Sequence, residues 1–302
     1  MLNWLEGNID QFTRPGAVAL EGLIHQDTLG LFASPESALH FLDLDRTYWR
    51  RQSIIKSQLV TGKIISGTVL EVGAGTGWCS SLVSTLPGVD KVYAVDYDPI
   101  AVEQLMPQVQ KALGAQGHKI ERVLGSFNHI PLESEVDYIF SIGALHHSEN
   151  LFHTLRECFK ALKPGGCLVA AEPTFADSET NPQIHSRAMG INQGLVRKHG
   201  LTTTFTDNSN HYYRLCEFLT AAYAAKFDVW PFVFDIAGDK AASDGMLSRR
   251  QAYNGFQVNV LFPYFAKTPA KPVFDNLLLV MQKPADGGLD LGHILTGSAP
   301  DF

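Results

Sequence analysis

From Gly67 onward the chain alternates short apolar runs with longer stretches whose apolar residues recur at helical spacing. The runs are Thr68–Val72, Lys91–Val95, Ile120–Leu124, Val136–Ile142 and Cys167–Glu172, each of strand length. Between them, Trp78–Leu86, Ile100–Leu113 and Leu151–Leu162 carry the helical pattern. Strands that are apolar on both faces and alternate with helices belong to a parallel sheet covered on both sides. Lys163-Pro164-Gly165-Gly166 predicts a stop for the third of these helices, because Pro cannot continue it and Gly permits the turn.

The flanks are less regular. Residues 1–64 read as short helices and loops without strand alternation, broken at Pro15-Gly16 and Ala33-Ser34-Pro35. Ser34 or Ser37 could cap a helix running toward Leu44. Past Glu172-Pro173 comes a polar stretch with one helical pattern, Ile184–His199, then a helix over Tyr213–Ala225. Phe227–Asp235 reads as a strand, Ala237–Ala270 as an insertion and Asn276–Gln282 as a last strand. The expected organisation is an N-terminal helical cap at 1–64 and a main domain at 65–283, with insertions at 174–226 and 236–270. A Gly-rich tail follows at 284–302.

Composition narrows the classes. The net charge of −7 argues against a broad nucleic-acid surface, which needs clustered Lys and Arg. Cys79, Cys158, Cys167 and Cys216 form no CxxC pair, so neither a zinc site nor a disulfide framework is expected. No His/Asp/Glu cluster stands at metal-ligand spacing, and no metal is expected. The first ten residues lack a basic segment leading into an apolar run, and no apolar stretch approaches a bilayer span. A cytoplasmic enzyme without a membrane span is the expectation.

The candidate chemistry begins at Val69-Leu70-Glu71-Val72-Gly73-Ala74-Gly75-Thr76-Gly77. A strand that ends in closely spaced glycines and opens a helix lets a ligand approach the backbone and meet helix N–H groups. The spacing is GxGxG, where a dinucleotide site would carry GxGxxG. The loop holds no Lys or Arg for two phosphates, and its neighbours Glu71, Asp96 and Trp78 suit a cation better. Asp96 ends the second strand about twenty residues on, where a carboxylate can hold ribose hydroxyls. Asp96 or Asp98 could instead cap the next helix, with Pro99 at its first position. The glycine loop in register favours ribose.

VLEVGAGTG, VYAVDYDP, VDYIFSIGALHH and ALKPGGCLVAAEP, in that order, resemble the class I S-adenosylmethionine-dependent methyltransferase family. The resemblance covers roughly residues 64–175 and implies a Rossmann-like, doubly wound α/β sheet of seven strands with the last antiparallel. It implies S-adenosylmethionine as cofactor, with Gly73, Ala74, Gly75 and Gly77 near its methionine and ribose portions. Glu71 would sit near the ammonium, Asp96 would hold both ribose hydroxyls and Tyr97 would lie along the adenine. Ser126 and Phe127 take the adenine edge, with Ser126 where many relatives carry Asp; Ile142 and Gly143 would face the methionine.

Methyl transfer is an in-line displacement, so alignment and exclusion of water supply much of the rate. A base is needed only if the acceptor must lose a proton. His147 is a candidate for that role, ahead of His146; the ALHH string could equally be a packing feature with one His bonded to backbone. His211, after the turn-rich Asp207-Asn208-Ser209-Asn210, could touch acceptor or simply precede a helix. Glu172 could act in the site or serve stability. Tyr48 or Arg51 could reach the cofactor carboxylate or belong to an amphipathic helix packed on the sheet. Trp230, Phe232 and Phe234 alternate as core; Phe256, Phe262, Tyr264 and Phe265 could line an apolar pocket or pack. The two insertions and the cap suggest a covered pocket for a small or medium organic acceptor, methylated on O or N. The competing readings are a non-catalytic module that binds S-adenosylmethionine and a nicotinamide-dependent oxidoreductase.

Overall fold

The structure, a computed structural model, describes residues 1–5, 15–32, 54, 57–58, 63–172, 174–175, 177, 179–186, 189–190, 211, 213–233 and 277–285. Its elements run β1 (Leu2–Asn3), α1 (Pro15–Leu31), β2 (Gly67–Val72), α2 (Trp78–Ser84) and β3 (Val89–Asp96). A π-helical turn, Ala101–Leu105, leads into α3 (Met106–Ala112), followed by β4 (Ile120–Leu124) and β5 (Val136–Ile142). A 3₁₀ turn, Leu145–His147, precedes α4 (Leu151–Ala161) and β6 (Leu162–Glu172). The last elements are α5 (Leu215–Ala224), β7 (Asp228–Val233) and β8 (Leu277–Gln282).

Among the described residues these strands form one eight-stranded sheet, in the order β1-β4-β3-β2-β5-β6-β8-β7. β8 runs antiparallel to both neighbours, β6 and β7, and every other pairing is parallel. Pro231, which has no N–H to give a ladder, sits in the edge strand β7. The chain lays β3 and β4 on one side of β2, then crosses to lay β5 and β6 on the other. That reversal opens a crevice beyond the carboxyl ends of β2 and β5, where ligands of such sheets bind.

Alternation along the strands feeds two cores. Leu70, Val72, Val95, Ile139, Leu168 and Leu279 face α4 and α5, meeting Leu155, Cys158 and Phe218. Val69, Val92, Phe140, Val169 and Val280 face the other way, onto Cys79 and Val83 of α2. Burial on both faces is the reason these strands read as nearly unbroken apolar runs.

Two features differ from expectation. The sheet has eight strands rather than seven, because Leu2 and Asn3 pair with Val123 and Leu124 of β4 and Trp4 packs on Tyr93. A two-residue strand is too short to show alternation. The helix does stop before Lys163–Gly166, but that segment lies within the strand and not ahead of it. The helix stops at Ala161, and the strand starts at once at Leu162. Val136 pairs with Leu162 and Tyr138 with Cys167, so the Pro-Gly-Gly segment is a bulge inside β6, bonded through Gly165 and Gly166 to Lys283. Helix over 184–199, residues 34–51 and the insertion at 236–270 lie wholly or largely outside the described residues, as does the tail past 285.

α5 ends in an unusual way. Lys226 adopts φ +73°, and the amides of Lys226 and Phe227 donate to the carbonyls of Tyr223 and Ala222. This is the left-handed cap that glycine normally supplies. Lys226→Gly should therefore raise stability by about 0.5–1 kcal/mol, read as a higher midpoint in urea unfolding at unchanged slope.

Candidate functional site

The backbone leaving β2 turns through three glycines with positive φ, at 62° for Gly73, 52° for Gly75 and 71° for Gly77. A Cβ on Gly73 would fall 2.4 Å from the Cβ of Ala144, and one on Gly77 would fall 2.9 Å from Met106 Cγ. Gly73 thus lets the segment after β5 close on the loop, and Gly77 lets α3 pack beneath it. Ala74 N–H donates to the Val95 carbonyl at 2.9 Å, fastening the loop to β3. Gly77 has no side chain with which to cap α2. Glu71, still within β2, supplies the acceptor: Ser80 N–H donates to its Oε2 at 2.7 Å, and the Ser80 hydroxyl donates to the same oxygen. One Glu71 oxygen therefore belongs to the helix, while the residue also lines the crevice.

Asp96 closes β3. Gly75 N–H donates to its Oδ2 at 2.7 Å and Asp98 N–H to its Oδ1 at 3.0 Å. Each carboxylate oxygen keeps a second acceptor position. Burial pushes the Asp96 carboxyl above its usual range, opposed by the charge of His25 and by the two backbone amides. Asp98 takes the capping role that Asp96 could have had, accepting Ile100 N–H at 3.0 Å.

At the end of β6, Glu172 is fully buried. Its Oε1 accepts the Ser141 hydroxyl at 2.9 Å and the amides of Ala144 and Leu145 at 3.0 and 2.8 Å. Its Oε2 lies 2.9 Å from His146 Nδ1. A carboxylate capping a short turn in this way fixes the whole Gly143–His147 segment. Of the two histidines, His146 turns inward to Glu172 and His147 faces the crevice, their ring centroids 4.1 Å apart.

These elements enclose a cavity of about 280 Å³. Glu71, Gly73, Ala74, Gly75, Asp96, Tyr97, Phe127, Ile142, Gly143 and His147, all singled out from sequence, line it together. Gly77 lies under the loop against Met106, and Ser126 is buried with its Oγ accepting Asn128 N–H at 3.1 Å; neither lines the cavity. His211 does not line it either. Its amide donates to the His146 carbonyl at 2.8 Å, its Nε2 lies 3.3 Å from Glu149 Oε1 and its ring stacks on Tyr213. It buttresses the turn that carries His147.

Sequence reasoning missed the wall that α1 provides through Ile24, His25 and Thr28. The apolar and polar residues of α1 do not separate onto opposite faces, so nothing local singled out His25. Tyr48, Arg51, Phe256, Phe262, Tyr264 and Phe265 lie outside the described residues. Among the described residues, no group of His, Cys, Asp or Glu could hold a metal ion, no helix is long and apolar enough to cross a membrane, and no Lys or Arg lines the cavity.

Residues 70–170 match the family model described as a methyltransferase domain. The chain is 25% identical over 152 residues to a probable S-adenosylmethionine-dependent methyltransferase of Mycolicibacterium smegmatis, a span of 48% of this chain and 55% of that protein. It is 28% identical over 132 residues to a demethylmenaquinone methyltransferase of Oceanobacillus iheyensis, covering 42% and 52%. The chain thus spans about half the length of these relatives. In fold it is similar to a geranyl diphosphate methyltransferase solved with GPP and sinefungin, with a TM-score of 0.52 and 14% identity over 77% of each chain.

Glu172→Ala would leave buried donors at Ser141, Ala144, Leu145 and His146 without their acceptor. We expect a loss of about 3–5 kcal/mol in urea unfolding, well beyond the cost of an ordinary surface substitution.

Proposed function

We infer the activity from family membership: through residues 70–170 the chain belongs to the class I S-adenosylmethionine-dependent methyltransferases. It transfers the cofactor's methyl group to a small or medium organic acceptor, on oxygen or nitrogen. The observation that carries this reading is the cavity at the switch point, which sets two carboxylates, Glu71 and Asp96, and the aromatic faces of Trp78 and Phe127 around a glycine turn. A sulfonium cation with a ribose suits that lining, and a pyrophosphate does not. When bound, the cofactor supplies an electrophilic methyl whose bond to sulfur breaks as the acceptor's lone pair forms the new bond, leaving S-adenosylhomocysteine.

This chain's residues would bind, orient and exclude water. The second acceptor positions of the Asp96 carboxylate would take two ribose hydroxyls. Tyr97 and Phe127 offer flat surfaces for the adenine. Gly73, Gly75 and Gly143 leave room for the methionine part, and Glu71 provides a charge for its ammonium. His147, in the turn after β5, lines the cavity and would take the proton of an acceptor hydroxyl. The Oceanobacillus relative, named for demethylmenaquinone, supports an organic acceptor of modest size, and a Priestia megaterium relative is named for one carried on acyl-carrier protein.

Gly75→Val forces a β-branched residue to φ +52°, and Asp96→Ala removes the ribose acceptor. Each should weaken S-adenosylhomocysteine binding about 30-fold or more in calorimetric titration. Wild-type affinity in both variants, or preferential binding of NAD by the native protein, would sink the assignment. Methyl transfer from labelled cofactor to a panel of phenols, amines and carboxylates tests turnover, and His147→Ala should lower kcat more than it raises KM.

The raised Asp96 pKa gives a pH signature. Ribose hydroxyls donate to the ionised carboxylate, so affinity is full above the folded-state pKa and falls as pH drops through it. Because burial raises that pKa, affinity should begin to fall at a higher pH than for an ordinary aspartate, while circular dichroism still reports folded protein. A profile flat down to acid unfolding would contradict it.

A further inference from the structure

The nucleoside end of the cavity is built as a chain of contacts that starts outside the sheet. In α1, His25 Nδ1 meets Asp98 Oδ2, and both side chains are buried. The Asp98 amide donates to Asp96 Oδ1 at 3.0 Å, and the Gly75 amide donates to Asp96 Oδ2 at 2.7 Å. His25, Asp98, Asp96 and Gly75 are thus linked in series, with His25, Asp96 and Gly75 lining the cavity and Asp98 behind them. A Cβ on Gly75 would lie 3.8 Å from His25 Nε2, which sets the imidazole over the same turn that the carboxylate supports. Ile24 and Thr28, one turn apart on α1, line the cavity beside it.

A surface-derived contact would not be buried so completely. Two carboxylates two residues apart are costly to bury together, and a histidine between helix and loop lowers that cost for both. The contact joins residues 73 positions apart, so it forms only when α1 is docked on the acidic loop. We propose that His25 is a positioning residue for the nucleoside half of the cofactor, clamping α1 to the loop after β3 and holding Asp96, through Asp98, where ribose meets it. The proposal rests on the cofactor reading above and extends it to an element that the methyltransferase motifs do not include.

The test measures binding of adenosine and of S-adenosylhomocysteine to the full chain and to His25→Ala, His25→Asn, Asp98→Ala and the His25→Ala/Asp98→Ala double variant. Circular dichroism and thermal melting first establish that each is folded. His25→Ala should weaken both ligands about tenfold, and Asp98→Ala by a similar factor, with the double variant no worse than about the weaker single. His25→Asn, whose side-chain amide can still donate to Asp98, should stay within about threefold of wild type. A merely structural helix residue would lower the melting temperature without separating Asn from Ala in affinity. Wild-type affinity in His25→Ala, or losses that simply add in the double variant, would overturn the role while leaving the cofactor reading intact. Failure of the native protein to bind S-adenosylhomocysteine would overturn both.

Discussion

The turn from β2 to α2 is where this molecule is most constrained. It reverses direction through three left-handed residues within five positions, which L side chains rarely adopt. At Gly73 there is also no space for a side chain, since Ala144 occupies the place where a Cβ would go. Everything at the carboxyl edge of the sheet is fitted to that turn. Met106 packs beneath it, Asp96 holds its Gly75 amide and α1 covers it from outside. The turn thereby leaves bare backbone open to the cavity.

Buried carboxylates then hold the surroundings in place, each at a strand end. Glu71 caps α2 in place of a side chain that Gly77 lacks, Asp96 grips the glycine turn, and Glu172 organises the segment that presents His147. All three point at backbone amides clustered near the start of a helix or turn, where an anion is most favourable. Glu71 and Asp96 also line the cavity, and in the proposed reading their charge favours a cationic or hydroxyl-rich ligand over one that brings phosphates.

Much of the site was legible because it is carried by short segments whose own pattern names them. VLEVGAGTG announces a buried strand, a glycine turn and a helix start in nine letters, and VYAVDYDP places a carboxylate at the next strand end. The histidine pair was harder. ALHH places both rings after β5, yet which one turns inward depends on Glu172, 26 residues later. Ser126 and Gly77 sat in the expected segments and still fell outside the cavity wall, since Ser126 turns inward to the Asn128 amide and the Gly77 backbone packs on Met106 beneath the turn.

The sequence by itself determined the alternation of strands and helices, the parallel sheet with its antiparallel partner and the kind of ligand the glycine loop could meet. These rest on period, turn chemistry and charge, which act over a few neighbouring residues. Only the tertiary structure decided that Leu2–Asn3 would extend the sheet, that Lys163–Gly166 would bulge within β6 and that His25 would stand over Gly75. Those outcomes depend on which surfaces remain uncovered after the sheet has formed. A helix without a marked apolar face, or a two-residue strand, carries no local record of them.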